Sequence, residues 1–132
     1  MENRPRAFAA LIKGDSILMV HVVTGSKDFW TLPGGGLEAE ETFEDAVVRE
    51  VQEEVNLKVK VVKELFTGTY ERGIEKCFLV EEIEKASIPT LGYDPELPRH
   101  QQELKEVKWH SITNVREDLH VSKVIEALNL KV

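Results

Sequence analysis

Glu50, Glu53 and Glu54 are three carboxylates packed into one turn and a half of a segment with helical periodicity. Phe43, Ala46, Val47, Val51 and Val55 supply its apolar stripe. Thr42 offers a capping hydroxyl, Asp45 three residues on completes a capping-box pattern, and Asn56 is a suitable left-handed stop. On a helical wheel the three glutamates fall within or beside the stripe, whereas Glu44 and Asp45 sit where a solvated face belongs. Carboxylates converging at the edge of an apolar face repel one another and lose hydration, so they call for a compensating cation. The donors are hard oxygens with no Cys or His among them, which points to Mg²⁺ or Mn²⁺ over zinc or copper. Arg49, four residues before Glu53, can orient one carboxylate through a charge-assisted bond.

Upstream lies Pro33-Gly34-Gly35-Gly36, read as a tight, pliable loop that stops a short strand. Its glycines can bring backbone N–H groups close to an anion. Loop and helix together describe a site for a phosphate-bearing ligand, with a metal neutralising charge that an acidic protein cannot. Two other phosphate motifs are excluded. Gly34-x-Gly36-x-x-Ala39 would set Glu38, Glu40 and Glu41 against a pyrophosphate, and no Gly-x4-Gly-Lys-Ser/Thr run exists.

The elements around this segment read as a mixed sheet flanked by helices, an α/β/α arrangement in one domain spanning residues 1–132. Residues 6–13 and 17–23 form a hairpin, and 29–32 a strand. Segments 58–62, 65–71 and 74–82 are β-rich, with a turn at Arg72-Gly73. Residues 86–102, with three prolines, make a long irregular loop; 103–110 is a strand and 121–130 a closing helix.

Composition limits the rest. A 132-residue chain with 42% hydrophobic residues can bury a core, and its net charge of −7 disfavours a stable nucleic-acid partner or an anionic membrane. Residues 38–54 hold eight acids against Arg49 alone, and the remaining sixteen acids and sixteen bases cancel. The surplus is therefore local to the loop and helix. Cys77, the single cysteine, excludes an intramolecular disulfide and reads as a small core residue in a reducing, cytoplasmic setting. Apolar runs are too short for a membrane span or a signal segment.

Gly35-x5-Glu41-x7-Arg49-Glu50-Val51-x-Glu53-Glu54-x-Asn56-Leu57 resembles the Nudix box, departing from its pattern at Asn56, where the family has Gly. Glu40 also stands where many members have Gly. Trp30-Thr31-Leu32-Pro33-Gly34-Gly35 and the segment from Glu103 to Trp109 resemble family segments too, so the likeness spans most of the chain. The resemblance implies a mixed sheet between helices and metal-dependent hydrolysis of a nucleoside diphosphate linked to another moiety. Carried over by position, Glu50, Glu53 and Glu54 are metal ligands, Glu41 supports them and Arg49 orients them. Glu53 is the first choice for general base and Glu103 the alternative. Gly34, Gly35, Gly36 and Trp30 are assigned to substrate.

Substrate identity is less specified. Phe29, Trp30, Tyr70, Tyr93 and Trp109 can stack on a base, although each also suits core or strand packing. Arg6, Arg72, Lys76 and Arg99 are read as ordinary surface charge, and His21, His100, His110 and His120 lack metal-ligand spacing. The proline that marks ADP-ribose hydrolases and the upstream coenzyme A motif are not found. Elimination leaves a MutT-like nucleoside triphosphate pyrophosphohydrolase. The alternatives are hydrolysis of a nucleotide sugar, dinucleoside polyphosphate or RNA cap, and a non-catalytic nucleotide-binding module; a homodimer stays open.

Overall fold

The computed structural model describes residues 3–85, 87–95, 97–98 and 101–132. Seven strands form one sheet: β1 (Arg6–Lys13), β2 (Ser16–Thr24), β3 (Lys27–Thr31), β4 (Gly34–Gly36), β5 (Val59–Tyr70), β6 (Gly73–Glu82) and β7 (Leu104–Ser111). Its main path runs β3-β2-β1-β6-β5, with β4 beside β1 and β7 beside β2. The β1–β6 pair is parallel and the other pairs are antiparallel, so the sheet is mixed as expected.

β1 explains the layering. Its side chains alternate between faces, and both faces are covered. Ala7, Ala9 and Leu11 join Leu18, Val20 and the apolar stripe of α1 (Phe43–Val55), while Phe8 and Ala10 join Ile17, Met19 and Cys77 under α2 (Leu119–Leu128). Cys77 is a buried free thiol, and burial pushes its pKa up to about 12. That environment suits a packing residue.

Helix α1 forms where the sequence puts it. Thr42 caps it, accepting from Asp45 N–H at 3.0 Å while Asp45 accepts from Thr42 N–H at 3.4 Å, and Asn56 closes it in the left-handed region with φ 57°. Three other expectations are revised. Gly34–Gly36 is a short strand paired with Phe8, Ala7 and Arg6, not a pliable loop. The two segments expected at 58–62 and 65–71 are one strand, whose register shifts at Val61/Lys63 and Glu64/Phe66 absorb the polar break. The closing helix starts at Leu119, two residues before the first apolar position of its stripe, because Asp118 caps it from the His120 and Val121 N–H groups.

Candidate active site

Strand β4 lies close to both β1 and helix α1, which leaves no room for a side chain at Gly34 or Gly35. A Cβ on Gly34 would collide with the Ala7 carbonyl, and one on Gly35 would lie 2.6 Å from Glu50 Oε1. Gly34 N–H donates to Glu54 Oε1 at 3.2 Å. Glycine here lets two helix carboxylates lie directly on backbone. Two substitutions should therefore separate fold from site. Gly34→Ala strikes rigid backbone and is expected to cost about 2–3 kcal/mol in urea unfolding. Gly35→Ala meets the movable end of Glu50, so the protein should unfold at nearly the wild-type midpoint while losing turnover.

The three glutamates, expected to converge, part company. Glu50 and Glu54, inside the apolar arc, come together; Glu53, at its edge, has a side chain 57% exposed and takes Arg49 Nη1 at 3.2 Å. Burial pushes the Glu54 pKa well up, and contact with the Glu50 carboxyl adds to the rise, outweighing the Gly34 N–H bond. Among the described residues no three acidic, His or Cys side chains are drawn together as a closed metal cluster. The crowded Glu50–Glu54 pair nevertheless fits a divalent ion: two half-buried hard oxygen donors side by side need either a proton or a cation between them.

Arg49 organises the surroundings. Its guanidinium donates to Glu41 at 2.7 and 2.9 Å, to Glu50 at 3.1 Å and to the Gly36 carbonyl at 3.0 Å. The Glu41 hydrogen bond holds Arg49 still more firmly in its charged form, and the same bond lowers the Glu41 pKa. Arg49 thus ties the segment after β4 to the helix, a wider role than orienting one carboxylate.

Two clefts of about 630 Å³ flank this centre. The first is lined by Gly34, Gly35, Gly36 and Trp30 together with Arg4, Arg6, Tyr70, Arg72 and His120. The second is lined by Glu53, Glu54 and Glu103 together with Tyr93. The residues expected to touch substrate and the two candidate bases therefore line different clefts. Of the other aromatics, Phe29 also lines the first cleft, whereas Trp109 packs against the core. Lys76 pairs with Glu64 at 3.1 Å, and Arg99 and His100 lie outside the described residues.

One network on the first cleft carries no motif in the sequence. Glu75, 3% exposed, accepts from Arg6 at 2.8 and 2.6 Å and lies 3.0 Å from His120 Nε2. Arg6 also stacks on Tyr70, its guanidinium carbon 3.7 Å from the ring centroid. Arg6 is thus no plain surface charge, and His120 has a partner. One signal was available: Glu75 is in phase with Cys77 on a strand, so it faces the apolar side. Burial raises the Glu75 pKa, but the Arg6 and His120 bonds outweigh it and leave the carboxyl below its ordinary 4.5. A lowered carboxyl contributes stability that is present above the unfolded pKa and lost as pH falls through the folded one. Wild type should therefore lose more stability than Glu75→Gln below pH 4.5, measured by urea unfolding between pH 5.5 and 3.

The model of the NUDIX domain matches residues 3–128. The chain belongs to the NUDIX family. It is accordingly a hydrolase of nucleoside diphosphate derivatives, from a family generally dependent on a divalent metal. An RNA pyrophosphohydrolase of Pelagibacter ubique is 25% identical over 140 aligned positions, covering 88% of this chain and 84% of that protein. The MutT protein of Methanosarcina mazei shares the fold, with a TM-score of 0.73 at 16% identity over 97% of this chain and 94% of the other. A bifunctional NMN adenylyltransferase/ADP-ribose pyrophosphatase of Francisella tularensis, solved with AMP and a Mn ion, is 26% identical with a TM-score of 0.63, over 96% of this chain and 41% of that one. As in other NUDIX domains, a mixed sheet lies between helices; no described helix is long and apolar enough to cross a membrane.

Proposed function

We propose that this NUDIX protein is a MutT-like nucleoside triphosphate pyrophosphohydrolase that releases a nucleoside monophosphate and pyrophosphate. The observation that carries the reading is the Glu50–Glu54 pair pressed on a side-chain-free strand between two clefts, one rich in arginine and aromatic residues and the other in carboxylates. In this reading Glu50, Glu54 and Glu53 hold Mg²⁺ or Mn²⁺, and Glu41 steadies them through Arg49. A divalent ion bound there neutralises phosphate charge and acidifies water. Gly34, Gly35, Gly36 and Trp30 receive the nucleotide on the first-cleft side. The glycine strand and Trp30 both line that cleft, which supports their assignment to substrate.

Hydrolysis is a displacement at phosphorus. A water oxygen bonds to phosphorus, the bridging P–O bond breaks toward the leaving phosphate, and a carboxylate takes the water proton. Glu53 is the first choice for that base and Glu103 the alternative, supported alike by their shared cleft. Gln substitution at each, assayed at saturating Mg²⁺, distinguishes them. The base should lose about 10²–10⁴-fold in kcat, far more than it loses in metal affinity, and small equal losses would reject both.

A second reading, removal of pyrophosphate from an RNA 5′ end, draws support from the Pelagibacter relative. One assay tests both. The protein is incubated with Mg²⁺ or Mn²⁺ and a panel of canonical and oxidised nucleoside triphosphates, ADP-ribose, dinucleoside polyphosphates, capped RNA and 5′-triphosphorylated RNA, and products are resolved by chromatography. Monophosphate and pyrophosphate from a free triphosphate support the first reading, and preference for the RNA end supports the second. Nucleotide binding without hydrolysis anywhere would overturn both.

A further inference from the structure

The position where this chain departs from the family box does more than end a helix. Asn56 occupies a left-handed conformation, φ 57° and ψ 36°, for which glycine is the least strained residue. If helix termination were its whole task, the amide would be superfluous. Instead Asn56 Nδ2 donates to the Thr90 carbonyl at 3.0 Å, to Thr90 Oγ1 at 3.0 Å and, at 3.5 Å, to the Leu91 carbonyl. Backbone bonds run beside it: Thr90 N–H to the Val55 carbonyl at 3.0 Å and Gly92 N–H to the Glu54 carbonyl at 2.7 Å. Gly92 lies so close that a Cβ there would run into the Glu53 carbonyl. The segment 90–92 is thus laid on the last turn of α1, on the residues whose side chains form the site.

The same segment leads into the second cleft. Tyr93, 61% exposed, follows Gly92 directly. Beyond it, Gln102 Oε1 accepts from Asp94 N–H at 2.8 Å, while Gln102 Nε2 donates to the Asp94 and Leu97 carbonyls at 2.8 and 2.9 Å. Gln102 precedes Glu103, whose carbonyl accepts from Val23 N–H at 2.8 Å. One side-chain amide therefore fastens the loop to the box helix and another fastens it beside Glu103.

We propose that Asn56 is a positioning residue, which fixes the loop over the carboxylate-lined cleft and thereby the placement of Glu103 and Tyr93 relative to Glu53 and Glu54. The proposal rests on the site reading above for its catalytic consequence, but not for the clamp itself. An Asn56 side chain touches no reacting group, so its effect passes through the loop. Releasing it leaves the Glu50–Glu54 pair and β4 in place, and metal affinity should not change.

The test compares wild type with Asn56→Gly, which keeps the left-handed helix end and removes the amide, and with Asn56→Gly/Thr90→Val. Hydrogen exchange is read at Thr90 and Gly92 without added ligand, Mn²⁺ affinity by electron paramagnetic resonance, and kcat/KM on whichever panel substrate wild type turns over fastest. Exchange at the two amides should rise about tenfold in Asn56→Gly, the scale of one lost hydrogen bond. kcat/KM should fall by a similar factor, while Mn²⁺ affinity and the unfolding midpoint hold. The double variant should match the single one, since both remove one contact. Unchanged exchange would overturn the clamp, and raised exchange with unchanged kcat/KM would overturn the positioning role. Failure of wild type on the whole panel would count against the site reading alone, and the exchange arm would still decide the clamp.

Discussion

Glu54→Gln should abolish most turnover and at the same time make the metal-free protein harder to unfold. The two effects have one cause. Glu54 is a half-buried carboxyl beside Glu50, and its pKa is raised because lost hydration and a like neighbour disfavour its charge. A neutral amide removes that repulsion and can still accept from Gly34 N–H. It cannot supply the charge that a divalent ion needs. We expect kcat to fall on the order of 10²–10³-fold, the scale of losing one preorganised electrostatic group. Wild type should gain thermal stability on addition of Mg²⁺, as any native-state ligand requires, and Glu54→Gln should gain much less. Undiminished activity would remove Glu54 from the site. A variant less stable than wild type without metal would show that the pair is not under strain.

Arg49→Met is expected to be the most damaging change to stability in the box. Removing one partner of a fully buried ion pair costs about 3–5 kcal/mol because the other charge is left stranded. Arg49 is 22% exposed and Glu41 12%, so solvent screening reduces this to about 2–3 kcal/mol in urea unfolding. Glu41 and Glu50 would lose their shared cation, and Gly36 a donor to its carbonyl. Arg49→Lys keeps the charge but cannot form the fork on Glu41, and should recover under half of the loss. Equal stability of Lys and Arg variants would mean that charge alone, without the bidentate geometry, holds the segment.

What could be read from the sequence was whatever depends on near neighbours. Thr42, Asp45, the apolar stripe and Asn56 are linked by spacings of three and four, so α1 and its caps were legible; the same wheel grouped Glu53 with Glu50 and Glu54, and only the structure shows it exposed and held by Arg49. The glycine strand was not, because three glycines carry no periodic signal and their conformation is decided by pairing with Phe8, Ala7 and Arg6. Nor were the Arg6–Glu75–His120 contacts, which join residues brought together by the sheet and by α2 packing. Lys63-Glu64 looked like an interruption because a register shift hides polar residues from the two-residue alternation. The box was legible at the level of its residues and illegible at the level of its surroundings.

The parallel pairing of β1 with β6 also bears on how the chain acquires its shape. Arg6 lies opposite Glu75, a separation of 69 residues. β1 holds both core layers together, so neither layer is complete until that long closure has occurred, and its entropy must be met before most of the apolar contacts form. During synthesis, β1, β2 and α1 can match part of their apolar faces to one another, but Phe78 and Val80 of β6 are needed to complete that layer. Substitutions along β6 should therefore act mainly by slowing folding and little by speeding unfolding.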